Sequence, residues 1–121
     1  MEKVLVVDDD LDILEMVKLI LKRRGINVIA SSEPGLVKDL IKKDHPDILL
    51  MDISMGCHDG RDICKTLKNS PEYSELPIIL FSANKVDTKS ISMSCADDFL
   101  QKPFNITSLV NIIDSHLPAG R

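Results

Sequence analysis

Short, unbroken apolar runs recur five times along the chain and alternate with longer segments of mixed polarity. Such runs are typical of strands that are buried on both faces of a sheet. The segments between them carry apolar residues at steps of three and four, which is the period of a helix with one buried face. The pattern predicts strands at 3–8, 26–30, 48–52, 77–81 and 98–101, and helices at 11–24, 34–43, 61–68, 86–95 and 105–117.

This alternation predicts an α/β fold, because right-handed crossovers between successive strands produce a parallel sheet covered by helices on both sides. We expect a three-layer architecture with a five-stranded parallel sheet and five helices, in one domain over residues 1–121. The helix at 86–95 is rich in serine and threonine, whose side chains compete for backbone hydrogen bonds. We therefore expect it to be the least stable helix.

Composition narrows the classes of function. The net charge of −4, the absence of a basic run and the shortage of aromatic residues argue against direct binding of nucleic acid. No apolar stretch is long enough to span a membrane, and no signal peptide precedes the first strand. The three cysteines lack CxxC spacing, which favours reduced thiols and predicts a cytoplasmic protein without direct membrane contact.

Several residues with chemical potential follow directly after predicted strands. Asp8 and Asp9 follow the first strand, Asp52 ends the third, Ser82 follows the fourth, and Lys102 follows the fifth. The carboxyl ends of parallel strands share one edge of a sheet, so these side chains should converge there. Clustered carboxylates repel one another, which should raise at least one pKa and favour a hard divalent cation such as Mg²⁺. A carboxylate, a metal, a hydroxyl and a lysine together suit the uptake of a phosphoryl group.

The stretches that carry this argument are VVDDDLDIL, ILLMD followed by DG, LFSAN and ADDFLQKPF. In their order and spacing they resemble the receiver domain of response regulators, and the resemblance covers essentially the whole chain. It implies a flavodoxin-like, doubly wound sheet with strand order 2-1-3-4-5.

The resemblance implies a role for each acid. Asp52 would be the phosphoacceptor, and the donor would be a phosphohistidine on a histidine kinase or a histidine phosphotransfer protein. Asp9, Asp52 and the backbone carbonyl of Ser54 would bind Mg²⁺ directly, and Asp8 would act through water.

It also implies how the phosphoryl group would be recognised and its presence transmitted. Ser82 and Lys102 would bind the phosphoryl group, and Ser54 and Asn84 would tune the lifetime of the aspartyl phosphate. Phe99 would be an aromatic switch that remodels the face of the fourth helix, fifth strand and fifth helix, where a downstream protein would bind.

The sequence departs from the family pattern at three positions. Gly56 stands where proline is usual, His58 where an apolar residue is usual, and Cys95 where glycine is common. We expect Gly56 to loosen its loop, whereas the effect of Cys95 on the end of the fourth helix stays open. The Lys102–Pro103 bond is expected to be cis, as is typical of the family.

The favoured function is a phosphorylation-dependent signalling switch that modifies only itself, is not an enzyme with an external substrate, and carries no output domain. Two alternatives stay open. The chain could be a phosphatase of the haloacid-dehalogenase type, with Asp8 as nucleophile and Asp10, Ser82 and Asp97–Asp98 in loosely matching motifs. It could also be a receiver-shaped binding module that is never phosphorylated.

Overall fold

The computed structural model describes residues 2–83 and 88–118. Within these residues, strands and helices alternate as the sequence pattern predicts. The elements are β1 (Lys3–Val7), α1 (Leu11–Arg23), β2 (Asn27–Ser31), α2 (Val37–Asp44), β3 (Ile48–Asp52), α3 (Gly60–Lys68), β4 (Ile78–Ser82), α4 (Thr88–Met93), β5 (Asp98–Gln101) and α5 (Ile106–His116).

The five strands form one parallel sheet in the order β2-β1-β3-β4-β5. This confirms the predicted fold class and strand order. The chain order reverses between β1 and β3, and in open α/β sheets ligands bind at the carboxyl edge beside such a reversal. In register, Val7 lies opposite Met51, and Asp52 lies opposite Phe81.

Each central strand sends alternate side chains into one of two cores, because successive residues of a strand point to opposite faces. Towards α1 and α5 the buried strand residues are Val4, Val6, Ile48, Leu50, Ile79, Phe81 and Leu100. Towards α2 and α3 they are Leu5, Val7, Leu49, Met51, Ile78 and Leu80. Burial of a single leucine contributes on the order of 2 kcal/mol, so the two cores together hold the sheet rigid.

The helix termini follow local side-chain chemistry. Asp10 is the N-cap of α1 and accepts a hydrogen bond from the backbone N–H of Asp12, and Asn105 caps α5 in the same way through Ser108. Each cap satisfies a backbone donor that the helix itself leaves unpaired. Of the carboxylates before α1, Asp10 therefore serves as the helix cap, whereas Asp8 and Asp9 remain candidates for a functional site.

Two predicted helices differ from the observed ones. The second was expected from residue 34, but Pro34–Leu36 forms a 3₁₀ turn and the α-helix begins at Val37; glycine at position 35 disfavours a regular α-helical start. The fourth was expected to continue to Cys95 but ends at Met93. The predicted start of that helix lies outside the described residues.

None of the three cysteines, all of which lie within the described residues, forms a disulfide. Cys57, Cys64 and Cys95 are free thiols, and Cys64 is buried against the core as its position in α3 predicts. Among the residues that the structure describes, no helix combines the length and apolar character needed to cross a bilayer.

Candidate functional site

Three carboxylates meet at the carboxyl edge of the sheet. Asp8 and Asp9 directly follow β1, Asp52 ends the neighbouring β3, and one oxygen from each lies within 4.8 Å of the others. Asp8 is completely buried and Asp52 is 5% exposed, whereas Asp9 is open to solvent. The predicted acid cluster is therefore present, because β1 and β3 are paired neighbours.

Lys102 enters the cluster from the segment after β5. Its Nζ lies 2.7 Å from Asp8 Oδ2 and 3.6 Å from Asp52 Oδ1. The same Nζ lies 4.5 Å from the centroid of the Phe81 ring, which attracts a cation through the negative face of its π-system. The Lys102–Pro103 bond is cis, as predicted.

Both oxygens of the Asp8 carboxylate are already engaged. Oδ1 accepts a hydrogen bond of 2.9 Å from the backbone N–H of Asp10, and Oδ2 is held by Lys102. Since the residue is also buried, its carboxylate has little freedom to meet a large ligand directly. Asp9 and Asp52 are the two acids with more freedom to do so.

Burial and like charge raise the pKa of Asp52 to about 6. Desolvation is the larger cause and the charge of Asp8 the next, while Lys102 and a hydrogen bond from the backbone amide of Ser54 lower the pKa. The predicted rise of at least one carboxyl pKa is thus confirmed. The physical cause includes burial, which the sequence argument from charge repulsion had not considered.

The donor set suits a hard divalent cation. Three carboxylates and one lysine carry a net charge of two negative when all four are ionised, and Mg²⁺ prefers carboxylate oxygens completed by water and phosphate oxygens. Ser54 is the first residue of a short hairpin that joins β3 to α3, formed by Ser54–Met55 and His58–Asp59. The hydrogen bond that its backbone N–H donates to the Asp52 carboxylate places its backbone beside that acid.

Ser82, Phe99 and Asn84 were also expected at or near the site. Ser82 ends β4, is 1% exposed, and its carbonyl accepts hydrogen bonds from the backbone N–H of Lys102 and the side-chain amide of Gln101. Phe99 lies on β5, is half-buried, and packs against the core on the α2–α3 side. Asn84 lies outside the described residues.

Two residues of the site were not singled out from the sequence as part of it. The ring of Phe81 lies against the ammonium group of Lys102. Its position in an apolar strand predicts only a core residue, and its place beside the site follows from the register of β4 against β3. Gly60 was predicted only as part of a turn. A Cβ at Gly60 would collide with the backbone carbonyl oxygen of Asp52, so its glycine allows α3 to begin directly against the site.

The departures from the family pattern have backbone consequences. Gly56 lies in the hairpin turn at φ +61°, which proline cannot adopt because its ring fixes φ near −65°. The backbone at this position therefore requires a residue other than proline. Cys95 has φ +65°, so this position after α4 keeps the left-handed conformation that favours glycine.

Comparison with known proteins gives one consistent picture. The family model of the response regulator receiver domain matches residues 4–114. Among solved structures, the chain is similar to chemotaxis protein CheY4 of Vibrio cholerae, with 26% identity, TM-score 0.88, and coverage of 97% of this chain and 99% of that one. It is similar to the receiver domain of a Francisella response regulator, with 29% identity, TM-score 0.83 and 95% coverage of each chain. It is also similar to the receiver domain of a histidine kinase from Syntrophus aciditrophicus, with 26% identity, TM-score 0.85, and coverage of 97% and 90%.

Proposed function

This chain belongs to the response regulator receiver family, and from that membership we propose that it is a signalling switch that accepts a phosphoryl group on Asp52. The observation that carries the proposal is the convergence of Asp8, Asp9 and Asp52 with Lys102 lying across Asp8 and Asp52. Receiver domains are signalling modules of two-component systems. This function does not require the chain to catalyse a reaction on an external substrate.

The donor is a phosphohistidine on a histidine kinase or histidine phosphotransfer protein. A carboxylate oxygen of Asp52 forms the new bond to phosphorus as the phosphorus–nitrogen bond breaks, and the imidazole leaves with the bonding electron pair and takes up a proton. Lys102 neutralises negative charge on the transferred group from a position already 3.6 Å from Asp52, and Ser82 donates a hydrogen bond to it.

Asp9, Asp52 and the backbone carbonyl of Ser54 would hold Mg²⁺, with Asp8 acting through water. When bound, the ion supplies positive charge beside the phosphoryl oxygens. The engagement of both Asp8 oxygens supports its indirect role. The raised pKa of Asp52 means that a nearby cation would favour the ionised, nucleophilic form at neutral pH.

Phosphorylation would change the face formed by α4, β5 and α5, where a downstream protein binds in the cytoplasm. Phe99 is placed on β5 within that face, and Ser54 and Asn84 would tune how long the phosphoryl group survives. The short α4 has no fully buried residue, which supports its role as the element that moves.

The phosphatase alternative requires Asp8 as nucleophile. Complete burial and two engaged oxygens leave Asp8 poorly suited to attack, whereas Asp52 is 5% exposed and lies farther from Lys102. The geometry therefore favours Asp52 over Asp8.

The deciding experiment is incubation with a small phosphodonor, with and without Mg²⁺, followed by intact-mass and peptide mass spectrometry. We expect a Mg²⁺-dependent addition of one phosphoryl group at Asp52, lost in Asp52→Asn and kept in Asp62→Asn, an exposed acid on α3. An adduct at Asp8 with steady release of phosphate would establish the phosphatase. Absence of any adduct on a folded protein would leave the binding module.

A further inference from the structure

Arg61 joins the hairpin beside the candidate site to α4. Its guanidinium donates to both oxygens of Asp59, with Nε–Oδ1 at 3.0 Å and Nη2–Oδ2 at 2.7 Å. Its third nitrogen, Nη1, donates to Ser90 Oγ at 2.6 Å. A single planar side chain thus holds an acid of the hairpin with one edge and a residue of α4 with the other.

The hairpin end of this link is hydrogen-bonded to the residues that directly follow Asp52. Asp59 pairs with Ser54 in the hairpin, and the backbone N–H of Gly60 donates to the carbonyl of Ile53 at 2.8 Å. Asp59 also caps α3 by accepting the backbone N–H of Arg61 at 2.9 Å. Any displacement of the chain after Asp52 is therefore passed to the Asp59 carboxylate and the guanidinium it holds.

The other end of the link meets α4, whose described residues Thr88–Met93 are mostly exposed. Helix α4 has no fully buried residue, and its apolar contact with the core is made by the half-buried Ile91. Because burial is slight over the described residues of α4, one charge-assisted hydrogen bond contributes substantially to fixing their position. The Arg61–Asp59 pair lowers the pKa of Asp59, so the link is charged at neutral pH.

We propose that Arg61 is a positioning residue that couples the hairpin after Asp52 to α4 through Asp59 on one side and Ser90 on the other. This rests on the proposed function in one respect, since the signal that the link transmits is phosphorylation at Asp52. The link itself is present in the unphosphorylated chain and is testable there. Because α4 belongs to the proposed output face, Arg61 would decide how strongly that face responds.

The first test uses two serines of α4 that differ in their contacts. Alanine favours helix more than serine does, so Ser92→Ala, at an exposed position, should slow amide exchange in α4. Ser90→Ala carries the same gain in propensity but removes the acceptor of Arg61. We expect its α4 amides to exchange about fivefold faster than in the native chain, because the loss of one charge-assisted hydrogen bond is only partly offset by the gain in helix propensity.

Arg61→Lys tests the other end, because an ammonium keeps the charge but cannot span Asp59 and Ser90 with a planar fork. We expect the same acceleration in α4, with unchanged exchange in β1 and β3. The amide exchange rates of the native chain and of all three variants are measured by NMR. Equal slowing in Ser90→Ala and Ser92→Ala, or native exchange in Arg61→Lys, would overturn the coupling.

The second test adds Mg²⁺ and beryllium trifluoride, a phosphoryl mimic, and follows backbone chemical shifts. In the native chain both the hairpin and α4 should respond, and in Ser90→Ala and Arg61→Lys the α4 response should shrink by about half or more while the hairpin response persists. An undiminished α4 response would refute the link. A native hairpin that fails to respond would instead refute phosphorylation at Asp52, and the exchange test would still decide the link.

Discussion

At the scale of single residues, the balance of charge around Asp52 controls the site. Asp52 is buried beside the Asp8 carboxylate, and Lys102 compensates only part of the repulsion because it lies closer to Asp8. Burial without full compensation disfavours the charged form, which is why the pKa of Asp52 is raised to about 6. The folded chain therefore holds a proton on Asp52 more tightly than the unfolded chain does.

This difference predicts a pH-dependent effect of Asp52→Asn on the metal-free protein. A raised pKa adds stability that is complete below about pH 4 and is lost as the pH rises through about 6. The amide cannot ionise, so the variant should escape this loss and be about 3 kcal/mol more stable than the native chain near pH 7.5. Urea unfolding of both proteins in a chelating buffer, at about pH 4 and near pH 7.5, measures the difference in their free energies of unfolding. The same difference at the two pH values would contradict the prediction.

Asp9 should matter for the cation and little for the fold. It is exposed, and its carboxylate lies at the solvent side of the acid cluster. We expect Asp9→Asn to weaken Mg²⁺ binding by at least about tenfold, whereas Asp12→Asn, an exposed acid inside α1, should leave it unchanged. Calorimetric titration of Mg²⁺ measures both, and native affinity in Asp9→Asn would remove this residue from the site.

At the scale of elements, the connection from β3 to α3 determines where the strand that carries Asp52 ends. The backbone N–H of Gly60 donates to Ile53 at 2.8 Å, so α3 begins in direct contact with the end of β3. That approach leaves no room for a side chain on Gly60. The end of β3 and the start of α3 therefore hold the two ends of the short hairpin close together.

Gly60→Ala should destabilise the fold by about 3 kcal/mol, because its Cβ meets backbone atoms that cannot rotate away. Gly35→Ala is the matched control, since a Cβ there has nothing within 4 Å and its φ lies outside the left-handed region. The control should be neutral or slightly stabilising. Chemical denaturation distinguishes the two, and equal stability of both variants would show that the contact at Gly60 relaxes freely.

The end of α4 offers the opposite case, in which added glycine should help. Cys95 is held at φ +65°, a conformation that costs a side-chain-bearing residue about 1 kcal/mol relative to glycine. Cys95→Gly should therefore stabilise the protein by up to about 1 kcal/mol, whereas Ser92→Gly inside α4 should destabilise it by about 0.5 kcal/mol. Thermal unfolding of the pair gives the sign of each effect, and destabilisation by Cys95→Gly would show that the cysteine makes a compensating contact.

At the scale of the whole molecule, the sheet separates two cores and carries the site on its carboxyl edge. Phe99 of β5 also packs against the core towards α2 and α3. Packed side chains therefore connect the acid cluster to the face formed by α4, β5 and α5. Phe99 lies opposite Leu80, one residue before Phe81, whose ring supports Lys102. Phe99, the proposed switch residue, therefore lies on the strand next to β4, which carries Phe81 and Ser82.

Binding of a phosphoryl mimic should therefore change the ring environment of Phe99. We expect its aromatic NMR signals to shift when beryllium trifluoride and Mg²⁺ are added. Those of Tyr73, which is buried in the same core near the amino ends of the strands, should stay in place. Unchanged Phe99 signals beside a responding hairpin would assign this residue to the static core.

Periodicity and local chemistry were sufficient to predict much of the fold. Most strand and helix ends lie within one or two residues of the predicted ones, because burial patterns and caps are local properties of the chain. The family motifs added the strand order and the cis Lys102–Pro103 bond, both confirmed. Residue roles such as those of Ser54, Ser82 and Asn84 stay predictions.

What the sequence alone determined is the identity of the acids, the hydroxyl and the lysine and the edge of the sheet at which they lie. The tertiary structure decided which of them are buried, that both oxygens of Asp8 are engaged, and that Phe81 lies beneath Lys102. It also decided that Arg61 spans Asp59 and Ser90. These properties depend on distances between residues far apart in the chain, which the pairing and register of the strands establish and no local pattern encodes.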